Sequence, residues 1–345
     1  MNNIPKVMKR WQMDGIGREF LKLCEVETPT PITGEILVKV DAVSLNYRDK
    51  MVIESGRGLQ LNFPFTPGSD LAGSVVAIGD GVQRFAIGDA VISTFTPDWI
   101  DGTRPGNAKT PYYRTLGGFY PGVLSEYVVF SEEWFVKAPS SLTPVQACTL
   151  PCAGVTAWFA LVERAKVKPG DIVLIPSTGG VALFGLQIAK AQGATVIISG
   201  RMSNKERVEK LGADHYIDKA MGEEDWIEAV LQITQDRGAD HILEVIGGDH
   251  LATSVKLAAV GGTVYQIGAL EGFNLSTPSM PLMLKDVTIH GIGTGSRNAL
   301  ENLVRAVDAI GLKPVADVRY PLAELSEALD TLAGGAFGKI VIELS

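Results

Sequence analysis

The chain has 345 residues, of which 46% are hydrophobic and 20% charged, proportions typical of a globular protein with room for two domains. Its formal net charge of −8 argues against nucleic acid or an anionic membrane as the main partner, because both require a basic surface. No apolar run approaches the ~20 residues of a membrane span and no signal sequence is evident, so we expect a cytoplasmic protein. The three cysteines follow no disulfide spacing and are expected to be reduced.

The first 137 residues show a β-strand pattern. Apolar or alternating runs lie between glycine and proline turns, which favours a compact antiparallel, barrel-like domain. The runs are 34–43, 72–79, 89–95 and 124–130. The best helical pattern in this part follows Tyr47. A long polar and aromatic loop, 95–123, is expected either to cover an active site or subunit contact, or to be a surface excursion folded on its own aromatic residues.

Strand and helix patterns alternate beyond residue 142. Thr143 is a plausible N-cap before Pro144, and two helical patterns follow, separated by Pro151. The later alternation predicts a parallel, doubly wound sheet, and thus an α/β protein. The tail predicts one amphipathic helix and one strand over 339–344.

A glycine turn joins the first strand and helix of this second half. The apolar run 172–175 is followed by the turn 176–180 and by a helical pattern over 181–192. Glycine allows close approach to a pyrophosphate, and free amides at a helix N-terminus attract its charge. The literal GxGxxG fingerprint is degenerate, since Ser177 and Ala182 replace two glycines. The context favours a nucleotide-binding βαβ unit over an ordinary turn.

Several segments together resemble the medium-chain dehydrogenase/reductase superfamily, in its zinc-lacking branch of quinone oxidoreductases and enoyl or alkenal reductases. They occur in the expected order along nearly the whole chain. The segments are SLNYRD (44–49), FPFTPGSDLAGSVVAIGDGVQRFAIGD (63–89), LPCAGVTAW (150–158), LGAD (211–214) and GKIVI (338–342).

The resemblance implies a particular domain organisation. A GroES-like β-barrel catalytic domain would comprise residues 1–138 and 312–345, and a Rossmann NADP-binding domain residues 139–311. The family also implies a homodimer or homotetramer formed through the Rossmann sheet edge near 287–292.

The resemblance also bears on zinc. Zinc-containing members have cysteine, histidine and glutamate ligands where this chain has Asn46, Ser69 and Asp70, and the loop 95–123 lacks the four cysteines of their structural zinc site. We therefore expect no metal. The four histidines are expected to be structural or surface residues, and Cys152, in a segment that faces the nicotinamide in relatives, is expected to serve packing.

Without a metal, hydrogen-bond donors must polarise the substrate oxygen, which suits reduction of quinones and conjugated enones. By resemblance Asn46 and Asp49 match the family's NxxD pair, and Tyr47 or Arg48 would supply a donor; these make Asn46, Tyr47 and Asp49 the catalytic candidates. The alternative is scaffolding, in which Asn46 caps the following helix and Asp49 pairs with Arg48 or Lys50.

The second Rossmann strand ends in Ser199, Gly200 and Arg201, where NAD-specific sites have a carboxylate. An uncharged Ser199 removes repulsion of the 2′-phosphate, and Arg201, with Lys205 and Lys219 nearby, would bind it, so NADP is the expected cofactor. The alternative is that Arg201 is only a solvated residue at a helix start. The resemblance implies the remaining expected cofactor contacts, which are Thr156, Ser177, Thr178, Gly179, Gly180, Val181, Ile246, Gly247, Gly268, Ala269 and Thr294.

The leading expectation is a zinc-independent, NADPH-dependent oxidoreductase that transfers hydride to a small-molecule quinone or α,β-unsaturated carbonyl. Two alternatives stay open, because a fold does not fix a function. They are a zinc-independent NAD(P)-dependent alcohol dehydrogenase and a non-catalytic NADPH-binding protein.

Overall fold

The computed structural model describes residues 4–344, and by their contacts the residues form two compact units. Unit 1 comprises Met1–Val155 and Thr294–Ser345, and unit 2 comprises Thr156–Gly293. The sequence assigned 139–155 and 294–311 to the Rossmann domain, whereas their contacts group them with unit 1.

The helix over Arg297–Ala309 contacts earlier parts of unit 1. The Arg297 amide donates to the Trp99 carbonyl at 2.9 Å, and a Cβ on Gly154 would lie 3.1 Å from Leu303. The predicted domain boundaries remain a prediction.

The elements follow in chain order. The strands are β1 (Val7–Met13), β2 (Leu21–Glu27), β3 (Glu35–Leu45), β4 (Asp70–Ile78), β5 (Ala90–Ser93), β6 (Tyr127–Ser131), β7 (Phe135–Lys137), β8 (Ile172–Ile175), β9 (Thr195–Gly200), β10 (His215–Asp218), β11 (Ala239–Glu244), β12 (Ala258–Gln266), β13 (Thr288–Gly291), β14 (Val318–Pro321) and β15 (Ile340–Glu343). The α-helices are α1 (Tyr47–Ser55), α2 (Pro144–Ala147), α3 (Val155–Trp158), α4 (Gly180–Ala191), α5 (Lys205–Lys210), α6 (Glu223–Thr234), α7 (His250–Leu257), α8 (Ser279–Leu284), α9 (Arg297–Ala309) and α10 (Leu325–Ala333).

Unit 1 is built on a seven-stranded sheet of mostly antiparallel strands in the order β14-β15-β3-β4-β5-β7, with β6 also paired to β3. Two register shifts in the pairing of β3 with β4 interrupt the ladder, and such bulges bend a strand. Alternate residues of β3 point into a core that includes Ile36, Val38 and Val40, each at most 1% exposed. Chain-distant β15 pairs with β3, so the tail of the protein completes this sheet. The expected GroES-like architecture is confirmed.

Unit 2 contains a six-stranded, wholly parallel sheet in the order β10-β9-β8-β11-β12-β13. From β8 the chain adds β9 and β10 on one side, and it then returns to add β11, β12 and β13 on the other side. The sheet therefore has the predicted doubly wound order. Its topological switch point lies between the carboxyl ends of β8 and β11, where open α/β sheets bind ligands.

One helical stretch differs from expectation. Residues Pro144–Arg164 form a continuous run of α- and π-helical turns rather than two helices, with Thr143 as the predicted N-cap. By length and composition this run could cross a membrane, so the expectation that no apolar segment reaches that length is wrong. Most of its apolar window is buried in the protein, as in a core helix of a soluble protein.

Candidate active site and nucleotide site

The start of α1 positions the three catalytic candidates. Asn46 is the N-cap residue in an extended conformation, and its main-chain N–H donates to Asp49 Oδ2 at 2.8 Å. Asp49 is fully buried, and its other oxygen lies 3.8 Å from Arg48 Nη1. Burial raises the pKa of Asp49, although Arg48 opposes the rise. Asp49 thus makes the scaffolding contacts that the sequence left open, and its catalytic role stays a prediction.

The side chain of Asn46 lies between two buried polar groups. Its Nδ2 donates to Ser69 Oγ at 3.2 Å, and its Oδ1 accepts from the Lys339 ammonium at 2.5 Å. Lys339 is 5% exposed and also donates to the Leu45 carbonyl at 2.6 Å. The antiparallel pairing of β15 with β3, which sets Ile340 opposite Leu45, brings Lys339 here.

The sequence alone does not identify Lys339 as a site residue, although Lys339 lies in the recognisable GKIVI segment. The available signal was a lysine next to an apolar strand, which by itself does not reveal a partner 293 residues away.

Asp70 completes this polar cluster. Its carboxylate accepts from Ser69 Oγ at 2.6 Å and from the Cys152 main-chain N–H at 3.2 Å, and it is fully buried. Burial raises the pKa of Asp70 to about 6, even though Lys339 and the hydrogen bonds from Asn46 and Ser69 lower it. The carboxylate is therefore mostly ionised at neutral pH.

The two cysteines of this region are poor nucleophiles. Burial, and then the nearby Asp70 carboxylate, raise the pKa of both Cys148 and Cys152. A thiol must ionise to react, so neither suits covalent catalysis. These thiols are free, as expected.

Tyr47 and Arg48 have different surroundings. Tyr47 is 40% exposed, and its ring centre lies 5.9 Å from Lys50 Nζ. Arg48 donates to Thr115 Oγ1 at 2.7 Å and to the Leu116 carbonyl at 3.1 Å. Arg48 therefore anchors the loop 95–123, which leaves Tyr47 as the more accessible candidate donor.

Arginine and aromatic side chains of the loop 95–123 contact one another. The Arg104 guanidinium lies 4.2 Å from the ring centre of Trp99 and 5.1 Å from that of Tyr113, and Arg114 lies 4.1 Å from the ring of Tyr112. Such cation–π contacts stabilise a segment without regular secondary structure. The loop also contacts the rest of unit 1, through Arg48 and through the Arg297 amide at the Trp99 carbonyl, and both expectations for its role stay predictions.

In unit 2 the turn between β8 and α4 is open. Gly179 is the N-cap of α4, and a Cβ added to it would meet only Ser177 Oγ, at 3.6 Å. The expected contacts Thr178, Gly180 and Val181 belong to the same turn and first helical turn. A twelve-residue helix with an uncrowded, glycine-lined N-terminus fits the pyrophosphate of a dinucleotide.

Two residues that the sequence analysis overlooked support this turn. Gly185 lies where α4 crosses the sheet, and an added Cβ there would collide with Leu243 of β11. It supplies the close helix–strand packing expected of the last fingerprint glycine, a role the sequence analysis placed at position 182. Asn204 Nδ2 donates to Thr178 Oγ1 at 3.1 Å and holds the segment after β9 against the turn.

The residues predicted to bind the 2′-phosphate lie at the end of β9 and in the segments that follow β9 and β10. Ser199 is 3% exposed, whereas Arg201 is exposed. The Lys219 amide donates to the Gly200 carbonyl at 2.9 Å, so the backbones of Lys219 and Arg201 flank the same position. Lys205 is 46% exposed and lies 3.8 Å from Glu209. No carboxylate ends β9.

A buried carboxylate shapes the loop after β11. Glu244 Oε1 accepts from the amides of Ile246 and Gly247 at 2.8 and 2.9 Å, and Oε2 accepts from His250 Nδ1 at 2.6 Å. The pKa of Glu244 is lowered because hydrogen bonds, chiefly from His250, outweigh its burial. Burial lowers the pKa of His250, but the hydrogen bond to Glu244 and its negative charge outweigh this effect and raise the pKa. Sequence analysis did not single out Glu244.

The other expected cofactor contacts fall in both units. In unit 2, Gly247 has a φ of 79°, and an added Cβ would collide with the Gly268 carbonyl, so these predicted residues meet, with Ala269 next to them. Thr156 is 2% exposed in α3. Thr294 belongs to unit 1, is fully buried, and its hydroxyl has no hydrogen-bond partner within residues 4–344. These contacts stay predictions.

Two segments of the chain match models of known protein families. Residues 33–140 match the family model of the alcohol dehydrogenase GroES-like domain, and residues 180–309 match that of the zinc-binding dehydrogenases. A zinc-type alcohol dehydrogenase-like protein of Schizosaccharomyces pombe is 36% identical over 95% of this chain and 96% of its own. Human quinone oxidoreductase is 27% identical over 95% of each chain.

A solved structure of a putative alcohol dehydrogenase from Sinorhizobium meliloti is 54% identical. It superposes with a TM-score of 0.95 over 99% of this chain and all of that one.

Zinc, which one of these family descriptions names, does not fit the donors present. Catalytic zinc takes three protein ligands, usually histidine, cysteine or a carboxylate. Asn46, Ser69 and Asp70 contribute one carboxylate, and the ammonium of Lys339 lies within hydrogen-bonding distance of Asn46. Throughout residues 4–344 the structure has no cluster of three or more histidine, cysteine or acidic residues able to hold a metal.

Proposed function

This chain belongs to the medium-chain dehydrogenase/reductase superfamily and is an oxidoreductase with a nicotinamide cofactor, and we propose that it is a zinc-independent, NADPH-dependent reductase of quinones or α,β-unsaturated carbonyls. The observation that carries the proposal is a hydrogen-bonded cluster in which Lys339 joins Asn46, Ser69 and Asp70. By resemblance, the last three stand where zinc-containing relatives have metal ligands. The positively charged ammonium of Lys339 within this cluster repels a metal cation.

The proposed chemistry needs only modest polarisation of the substrate. A conjugated carbonyl gains a hydride, supplied by bound NADPH, and a proton, and the negative charge that develops on its oxygen is stabilised by hydrogen-bond donors. Asn46 Nδ2 carries two hydrogens. One goes to Ser69 and the other lies toward Asp70, whose pKa it lowers, and a substrate oxygen would accept this second hydrogen in place of Asp70. Tyr47, partly exposed beside it in sequence, is the second proposed donor.

The preference for NADPH rests on the end of β9. Ser199 places no charge there, and Arg201 is exposed next to the backbone of Lys219. A guanidinium suits a phosphate dianion because its donors are planar and always charged. The turn at Gly179 is the proposed pyrophosphate site.

A second function has specific support. The relatives from S. pombe and S. meliloti carry the name of alcohol dehydrogenases, and alcohol oxidation by the same residues is the alternative. Against it, Asn46, Ser69 and Asp70 suit poorly the binding of a metal that would lower the pKa of an alcohol, and carbonyl substrates do not need such a metal.

The deciding experiment is a substrate panel. Steady-state oxidation of NADPH is followed with a quinone, an enone and an aldehyde, and reduction of NADP⁺ is followed with primary and secondary alcohols. We expect turnover with the quinone or the enone. Turnover with alcohols alone would favour the alcohol dehydrogenase, and tight NADPH binding without any turnover would favour a binding protein.

A further inference from the structure

The cluster around Asn46 has a fixed order of donors and acceptors. An ammonium has only donors, so Lys339 must face the oxygen of the Asn46 amide, 2.5 Å away. An ionised carboxylate has only acceptors, so Asp70 must receive the Ser69 hydroxyl hydrogen, at 2.6 Å. Ser69 Oγ then offers a lone pair to Asn46 Nδ2, at 3.2 Å. Lys339 at one end of this series of hydrogen bonds and Asp70 at the other therefore enforce the same orientation of the Asn46 amide.

Orientation matters because an asparagine amide has two opposite functions. Turned one way it presents NH₂ hydrogens, and turned the other way it presents an oxygen that would repel a developing oxyanion. An isolated asparagine can flip between these states. The buried charges of Lys339 and Asp70 select one state, because the flipped amide would set its NH₂ group against the ammonium and its oxygen against the Ser69 lone pair.

We propose that Lys339 is a positioning residue that, through Asn46, keeps an amide N–H directed at the substrate oxygen. The proposal deepens the proposed function and rests on it. Lys339 touches neither substrate nor cofactor in this role. Its cation sets the direction of a hydrogen-bond donor, where a metal would act by direct coordination.

The competing view is that Lys339 is a structural tie, since it also donates to the Leu45 carbonyl where β15 pairs with β3. The two views differ in how the effects of substitutions combine. A positioning residue acts only through Asn46, so its loss should cost little once Asn46 is gone. A structural tie should reduce activity regardless of Asn46.

The experiment is a double-mutant cycle with Lys339→Met, Asn46→Ala and the double variant, measured at saturating NADPH. We expect Lys339→Met to lower kcat by about 10- to 100-fold, as for residues that support a functional group. The double variant should be no slower than Asn46→Ala, the KM for NADPH should be unchanged, and Lys339→Arg should recover part of the rate. A double variant slower by the full factor of Lys339→Met would overturn the proposal.

Two further variants control for folding. Lys285→Met removes another lysine whose ammonium donates to main-chain carbonyls, here of Val255, Lys256 and Ala258, and should lower stability without altering kcat. Ser69→Ala removes the hydroxyl that accepts from Asn46 Nδ2, so this variant tests the same amide orientation if Lys339→Met does not fold. It too should show no additional loss in the Asn46→Ala background, and an additive loss would contradict the proposal.

Failure of the proposed function is recognised separately, as a wild type that reduces no quinone or enone. Positioning is then judged from the side-chain amide resonances of Asn46 in nitrogen-labelled protein, assigned by their loss in Asn46→Ala. They should move in Lys339→Met and in Ser69→Ala but not in Lys285→Met. Resonances that match the wild type in the first two variants would overturn the positioning role.

Discussion

Asn46 is the residue on which the proposed chemistry depends most. Its amide is buried and held on both sides, and it is the proposed hydrogen-bond donor to a substrate oxygen. Asn46→Ala and Tyr47→Phe should each lower kcat/KM by about 10- to 1000-fold, the range for loss of a positioned donor. The affinity for NADPH should barely change, which fluorescence titration measures. Asn107→Ala, in an exposed turn, is the control, and unchanged kinetics in both site variants would place the active site elsewhere.

Arg201 decides the proposed cofactor preference. A charge-assisted hydrogen bond is worth about 1.5 to 3 kcal/mol, so NADPH should bind roughly 10- to 100-fold more tightly than NADH. Arg201→Ala should remove most of that difference and leave NADH binding nearly unchanged. Both cofactors are titrated at one salt concentration, with Arg237→Ala as the control for an exposed arginine of the same unit. Equal affinities in the wild type would refute the assignment.

At the scale of elements, the short loop after β11 depends on the buried pair of Glu244 and His250. The pKa of His250 is raised above its ordinary 6.5, so its contribution to stability is complete below that pH and is lost as the pH rises through the raised value. The pKa of Glu244 is lowered below its ordinary 4.5, so its contribution is complete above that pH and is lost on acidification through the lowered value. The pair should stabilise most between about pH 4.5 and 6.5.

Glu244→Gln tests this pair. Breaking a buried ion pair costs about 3 to 5 kcal/mol, and we expect that loss in the free energy of unfolding near pH 5.5 and a smaller one at pH 9. Urea unfolding across this range gives the values. Glu206→Gln, which removes an exposed carboxylate paired with Lys210, should show no comparable change. A loss for Glu244→Gln that is the same at both pH values would contradict the ion-pair account.

Elements with a strong local pattern were predictable. The strand over Ile172–Ile175 and the helix near Gly180–Ala191 appear almost as the apolar periodicity predicts, because their residues are buried by neighbours on a regular sheet. Short exposed elements such as α5 and β14 have too few apolar residues to give a pattern. The helical run Pro144–Arg164 was divided at Pro151 because proline usually ends a helix, whereas here π-helical turns accommodate it.

The candidate site was predictable only in part. Asn46, Ser69 and Asp70 lie in recognisable motifs, and so does the turn at Gly179. Lys339 could not be placed, because strand pairing between the two ends of the chain brings it there. Glu244 was overlooked because a lone acidic residue in a strand pattern does not show that its charge is buried and paired.

For the molecule as a whole, we propose a homodimer or homotetramer assembled through the edge of the unit 2 sheet. Edge strand β13 and the preceding segment expose large apolar side chains, among them Phe273, Met283 and Leu284 at 64%, 66% and 72%. Exposed apolar residues beside an unpaired strand edge favour association. Light scattering should give two or four times the chain mass of 36.8 kDa, and Leu284→Lys should weaken association. A monomer at micromolar concentration would contradict this assembly.

We propose that this member of the superfamily reduces conjugated carbonyls without zinc, with the hydrogen-bonded cluster of Asn46, Ser69, Asp70 and Lys339 in place of a metal site. The most direct measurement is the rate of NADPH-dependent reduction of an enone or quinone by enzyme dialysed against a strong chelator, with zinc quantified per chain by elemental analysis. We predict an undiminished rate at much less than one zinc per chain. One zinc per chain, with activity that is lost on chelation and restored by added zinc, would contradict the claim.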